Sequence, residues 1–166
     1  MPRPLIAVVG PGESATVEQI RLSELVGRAI AKRGWVTLTG GRAAGVMAAA
    51  TRGAAAANGL TIGILPGATR AGAAPELDVA LATGLGEARN AVIATAADAM
   101  VACGMNPGTL SEVSLALRAR KPVAILCVDH SAIVFLQSLG TDAGRVHIPD
   151  GPEAAIEWVE QRLGKS

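Results

Sequence analysis

Six short apolar runs rich in β-branched residues punctuate this chain, and segments of helical periodicity lie between most of them. The runs are LIAVV at 5–9, WVTLT at 35–39, TIGIL at 61–65, VALAT at 79–83, AMVAC at 99–103 and PVAILC at 122–127. Because they are apolar at nearly every position, they suit strands of a parallel sheet covered on both faces. Helices are predicted over about 16–33, 45–58, 87–97, 109–121 and 151–163, while 128–150 carries little pattern. Such alternation predicts an α/β fold: a single Rossmann-like domain over residues 1–166, its sheet mostly parallel with helices on both faces.

A chain of 166 residues is long enough to bury a core without disulfide or metal staples. Half of it is hydrophobic, yet no apolar stretch reaches the ~18 residues a membrane-spanning helix needs. The opening MPRPLIAVVG lacks the layout of a signal peptide, so the expectation is a soluble cytoplasmic protein with no membrane contact. In that setting Cys103 and Cys127 read as reduced core residues, and no Cys/His spacing predicts a protein-bound metal. His130 and His147 read as loop or strand-end residues. A net charge of +1, no long basic run and only Trp35, Phe135 and Trp158 as aromatics argue against nucleic acid. Glycine and alanine are spread through the periodic segments, which predicts closely packed helices.

In open α/β sheets, ligands sit beyond the carboxyl ends of the strands, which directs attention to four glycine-bearing loops. Gly10-Pro11-Gly12-Glu13 begins a G-x-G-x-x-A match after the first strand. Its chemistry suits a dinucleotide poorly: Pro11 removes a donor, Glu13 sets a carboxylate beside the pyrophosphate, and the second strand ends in TGG without a ribose-binding acid. Gly40-Gly41-Arg42, followed by Gly45 at a helix start, is no P-loop, since no Gly-Lys-Ser/Thr follows. Arg42 is either a phosphate partner or a solvated arginine.

The third loop, GLGEARN, places Arg89 and Asn90 in the first turn of a helix, where a cation opposes the dipole and a carboxylate or ligand partner is expected for Arg89. The fourth runs Gly104-Met105-Asn106-Pro107-Gly108-Thr109 into a helix. Thr109-Leu110-Ser111-Glu112 fits a capping box with Thr109 as N-cap, which would account for Glu112 structurally. The same carboxylate lies at the carboxyl edge of the sheet, available for acid–base work or for binding N–H groups.

Taken jointly, GPGESAT, LTGGRAAGVM, LTIGILPG, GLGEARN and CGMNPGTLSEV resemble the Rossmann-type proteins related to the Lonely Guy phosphoribohydrolases and the lysine-decarboxylase-like proteins, and within them the molybdenum cofactor carrier branch. The hydrolase branch implies cleavage of a nucleoside 5′-monophosphate by an arginine and a glutamate, positions matched by Arg89 and Glu112. Its glycine pair is replaced here by Met105-Asn106, with Pro107 before Gly108-Thr109. The carrier branch is similar in that loop, in the initial GPGE and in length.

That resemblance implies binding of the molybdenum cofactor, a phosphorylated pterin with a dithiolene-held metal, for protection or delivery without turnover. The expected contacts are the Gly10–Glu13, Gly40–Arg42 and Gly45 segments, Arg89, Asn90, and Gly104 through Thr109 with Glu112. In this reading Glu112 or Asn106 meets pterin N–H groups, molybdoenzymes are clients, and the protein is a homodimer or homotetramer. The alternatives are the phosphoribohydrolase and a noncatalytic nucleotide-sensing module.

Overall fold

Each of the six apolar runs forms a strand, as expected. The structure, a computed structural model, describes residues 2–138 and 144–164; residues 1, 139–143 and 165–166 of the expected domain lie outside the described residues. In chain order the elements are β1 (Leu5–Val9), α1 (Val17–Lys32), β2 (Val36–Thr39), α2 (Gly45–Ala55), β3 (Thr61–Leu65) and β4 (Val79–Ala82). A 3-10 turn at Gly86–Ala88 then leads into α3 (Arg89–Ala96), β5 (Ala99–Cys103), α4 (Pro107–Arg118), β6 (Val123–Leu126), α5 (His130–Ser138), β7 (Val146–His147) and α6 (Pro152–Leu163). The last short strand and α5 fall in the stretch where the sequence showed little pattern.

The strands form one sheet in the order β4-β3-β2-β1-β5-β6-β7. Every pairing is parallel, so the sheet is wholly rather than mostly so. Strand addition proceeds from β1 through β2 and β3 to one edge and resumes at β5 on the other side of β1. The loops leaving β1 and β5 therefore diverge, and this switch point at the carboxyl edge is where open α/β sheets bind ligands.

Strand periodicity divides the core in two. Ile6 and Val8 of β1 join Val101, Cys103 and Ala124 beneath α1, α2 and α6, where Val26, Ile30, Val46, Ala50, Ile156 and Val159 meet them. Ala7 and Val9 point to the opposite face, with Leu38, Met100 and Ile125 under Ile93 of α3, Val113 and Ala116 of α4, and Leu136 of α5. Burying one such large aliphatic side chain contributes about 1.5–3 kcal/mol, which explains why these runs leave almost no polar position.

The scattered small residues have the expected role. A Cβ on Gly27 of α1 would strike the Ala50 carbonyl of α2, and one on Gly53 of α2 would strike the Glu24 carbonyl of α1. The two backbones can lie this close only with glycine at both positions. At the other side of the molecule, the edge strand β4 leaves Val79 and Leu81 exposed. By register with Ile62 and Ile64, both lie on the face covered by α3.

Candidate functional site at the carboxyl edge

The loop after β5 differs from the expectation in its cap. Helix α4 starts at Pro107, and Asn106 is its N-cap: its side-chain Oδ1 accepts from the Thr109 N–H at 2.8 Å and from the Thr109 hydroxyl at 2.9 Å. Asparagine is an excellent cap and proline suits N1, so this start prevails over the Thr109 box. The carboxylate at 112 lies three residues beyond Thr109, which is itself N3, and is out of reach of the cap. With both lone pairs of Oδ1 engaged, the Asn106 side chain keeps only its NH₂ for another partner.

Glu112 instead faces Arg89. The Arg89 and Glu112 side chains are 8% and 9% exposed, and Arg89 Nη1 stands 3.9 Å from Glu112 Oε1. That separation allows charge attraction but no hydrogen bond. The Arg89 Nε and Nη1 groups, both buried, have no hydrogen-bond partner. Burial depresses the Arg89 pKa, against the pull of Glu112. Burial also pushes Glu112 up to about 7, with Arg89 opposing and Glu87 reinforcing the rise. The carboxyl group can therefore donate or accept a proton near neutral pH.

The loops after β1 and β2 close around this pair. A Cβ on Gly40 would meet Arg89 Nη1 and Met47 Sδ, so the missing side chain makes the seat for the guanidinium. Gly45 has φ +48, and a Cβ there would collide with the carbonyls of Pro11 and Gly12. This lets α2 begin directly under the first loop, where the Val46 N–H donates to the Pro11 carbonyl at 3.0 Å. Across the rim, Arg42 Nη2 pairs with Glu13 Oε1 at 2.6 Å, both side chains exposed. Arg42 is close enough to Arg89 for its charge to help lower the Arg89 pKa.

Asn90 is buried and donates through Nδ2 to Ser111 Oγ at 2.8 Å, while Ser111 donates to the Gly108 carbonyl at 2.7 Å. This chain ties the start of α3 to the first turn of α4. Met105 packs against the core beneath the sheet, and Pro107 and Gly108 are exposed on the rim. Gly10 abuts the Cys103 carbonyl and Val46, linking the first loop to β5 and α2.

The predicted site residues thus share one edge of the sheet. Gln19, Met47 and Ser111, which the sequence does not single out as candidates, pack against or bond to these residues. Gln19 forms a capping box with Thr16 at the start of α1, and its side-chain amide occupies the space a Gly104 side chain would take. The T-V-E-Q pattern at 16–19 is the signal that marks it. Among the described residues no cluster of His, Cys, Asp and Glu is arranged to hold a metal. No helix there is long and apolar enough to cross a membrane.

Residues 3–156 match the model of the SLOG cluster4 family. An uncharacterized protein of Archaeoglobus fulgidus is 39% identical over 121 residues, covering 73% of this chain and 78% of that one. The molybdenum cofactor binding protein from the phototrophic bacterium Rippkaea orientalis superimposes with a TM-score of 0.94 at 43% identity, over 98% of this chain and 99% of that one. The molybdenum cofactor carrier protein from Chlamydomonas reinhardtii gives 0.92 at 43% identity, over 98% and 99%.

Proposed function

Because the chain belongs to the SLOG cluster4 family, we propose that it binds the molybdenum cofactor at its carboxyl edge and protects or delivers it without turnover. The likeness over nearly the whole chain to proteins that bind or carry this cofactor supports the reading. The observation that carries it within the molecule is Arg89, a buried guanidinium with two unpartnered N–H groups in a glycine seat. Such a group is costly unless an anion meets it, and the cofactor offers a phosphate and an anionic metal-oxo end.

In this reading Arg89 takes an anionic group, and Glu112 exchanges hydrogen bonds with the pterin ring as donor or acceptor. Gly10, Gly40, Gly41, Gly45 and Gly104 let the loops, Arg89 and Gln19 pack closely enough to shape the pocket, Pro11 and Gly12 lie beside it, and the Glu13–Arg42 pair borders it. Asn90 and the stretch from Met105 to Thr109 hold the two helix starts in register. The clients are molybdoenzymes and the setting is the cytoplasm. The exposed Val79, Leu81, Leu85 and Val92 favour a homodimer or homotetramer.

The Arg89–Glu112 pairing also favours a second reading, cleavage of a nucleoside 5′-monophosphate to free base and ribose 5′-phosphate. The test is to purify the protein from cells that make the cofactor, oxidise it and assay the fluorescent pterin, while incubating a second sample with AMP and isopentenyl-AMP. Stoichiometric pterin without base release supports the carrier. Absent pterin, with base release that Glu112→Ala abolishes, overturns it in favour of the hydrolase.

A further inference from the structure

Helix α4, which carries Glu112, packs chiefly on α3, β5 and β6. Arg89 is the one charged side chain of α3, neither strand brings any, and Cys103 at the end of β5 lies on the opposite face of the sheet. Within α4 itself the other charge, Arg118, stands in the last turn, away from the carboxyl edge. Exposed Glu87, in the turn before α3, adds a negative charge that acts on Glu112. Arg42, whose charge reaches Arg89, is already paired with Glu13 at 2.6 Å. The centre of the site therefore holds one guanidinium and one carboxylate, both almost wholly buried, with Glu87 at its margin.

An arriving oxyanion and the Glu112 carboxylate compete for that single cation. A bidentate Arg–carboxylate pair would hold the carboxyl ionised and occupy the fork. Here the pair stays open at 3.9 Å, and the Arg89 Nε and Nη1 groups have no partner. Once an anion takes the guanidinium, an ionised Glu112 would face a like charge in a low-dielectric space with no second free cation. Of two anions sharing such a space, one becomes protonated. A neutral Glu112 removes the repulsion and gains an O–H that can donate to the anion.

We propose, resting on the reading of this edge as a site for an anionic ligand, that the site takes up its anion together with one proton held on Glu112, and that losing this proton releases the anion as pH rises. The proton comes from solvent and adds to a Glu112 oxygen; no other bond forms or breaks. Linkage makes the effect reciprocal: the anion strengthens the hold of Glu112 on the proton, and the proton strengthens the hold of the site on the anion. In the free protein, burial sets the Glu112 transition at about 7. The carboxyl is thus mostly neutral at pH 6 and mostly ionised at pH 8, so proton uptake on binding falls between these values.

The experiment titrates the full chain calorimetrically with sulfate, whose own charge is constant from pH 6 to pH 8, in two buffers of different ionisation enthalpy. Sulfate affinity should fall about tenfold from pH 6 to pH 8. Proton uptake per bound sulfate should be about one at pH 8 and close to none at pH 6. Glu112→Gln keeps the shape and cannot ionise, so its sulfate binding should show neither the uptake nor the pH dependence. Parent binding that is constant over this range and takes up no proton overturns the coupling while the anion site stands. An unchanged pH dependence in Glu112→Gln does the same. No saturable sulfate binding by either protein at any of these pH values overturns the anion-site reading, and the coupling with it.

Discussion

Arg89 and Glu112 stand 3.9 Å apart, both almost wholly removed from solvent. A buried ion pair that does not close into a hydrogen bond leaves its desolvation largely uncompensated. The Glu112 pKa of about 7 expresses this in the fold. In the proposed reading a ligand completes the pair, whose own attraction is only part of what offsets the burial.

Stability should therefore fall as pH rises through the Glu112 transition. The carboxyl has a higher pKa when folded, about 7, than its ordinary 4.5. The folded state consequently binds more protons between those values. The contribution of neutral Glu112 is full below about pH 4.5 and lost as pH rises through about 7. Glu112→Gln keeps the shape without the charge. The variant and the parent should have similar stability near pH 4.5, and by pH 8 the variant should be more stable by about 2–3 kcal/mol. Urea unfolding across this range measures the difference; parallel pH curves for the two proteins would contradict it.

Arg89→Lys should separate fold from binding. Lysine retains the positive charge opposite Glu112 but presents a point charge in place of the planar fork whose Nε and Nη1 lack partners. Pterin recovered per chain from cofactor-making cells should drop, with affinity weakened about tenfold or more. The thermal midpoint should move little. Undiminished pterin recovery would remove Arg89 from the site.

Gly40→Ala acts on the same guanidinium from behind. The added methyl would meet Arg89 Nη1 and Met47 Sδ, both at the ends of flexible side chains. They can yield at modest cost, so the protein should fold, with Arg89 displaced from its seat. Cofactor retention should fall about as far as in Arg89→Lys. By contrast, Gly27→Ala drives its methyl into the Ala50 backbone carbonyl, which cannot yield without moving α2. That variant should lose about 1–3 kcal/mol of stability in urea unfolding.

The strands, and the edge where the candidate residues gather, are legible because continuous apolar runs and glycine turns encode burial and sharp reversal directly. The run at 99–103 becomes β5, with all five residues buried, and GMNPG follows it at the crevice. β7 was not legible, since it consists of Val146 and His147 alone, too short for any period. The cap of α4 departs from the sequence pattern for a physical reason. T-L-S-E has the capping-box spacing, but the Asn106-Pro107 pair just before it offers a better cap and a better N1 residue, and the helix begins three residues earlier. That shift moves Glu112 from a helix end to the second turn, where only tertiary packing brings it to Arg89.

Asn106→Ala tests this displacement of the cap. Removing the Asn106 carboxamide leaves the Thr109 N–H and hydroxyl, now bonded at 2.8 and 2.9 Å, without their acceptor. Thr109 is 1% exposed, so water replaces that acceptor poorly. The loss should be about 1–2 kcal/mol. Asn106→Asp preserves the acceptor and places a negative charge at the helix amino end, so it should recover most of the stability. If Thr109 and Glu112 formed the cap instead, Asn106→Ala would be nearly silent and Glu112→Gln would leave the box intact. Urea unfolding of the three variants at pH 5, where Glu112 is mostly protonated in the fold, separates the cap effect from the ionisation effect. Loss in Asn106→Ala with recovery in Asn106→Asp places the cap at 106 and leaves the Glu112 carboxyl free to serve the site.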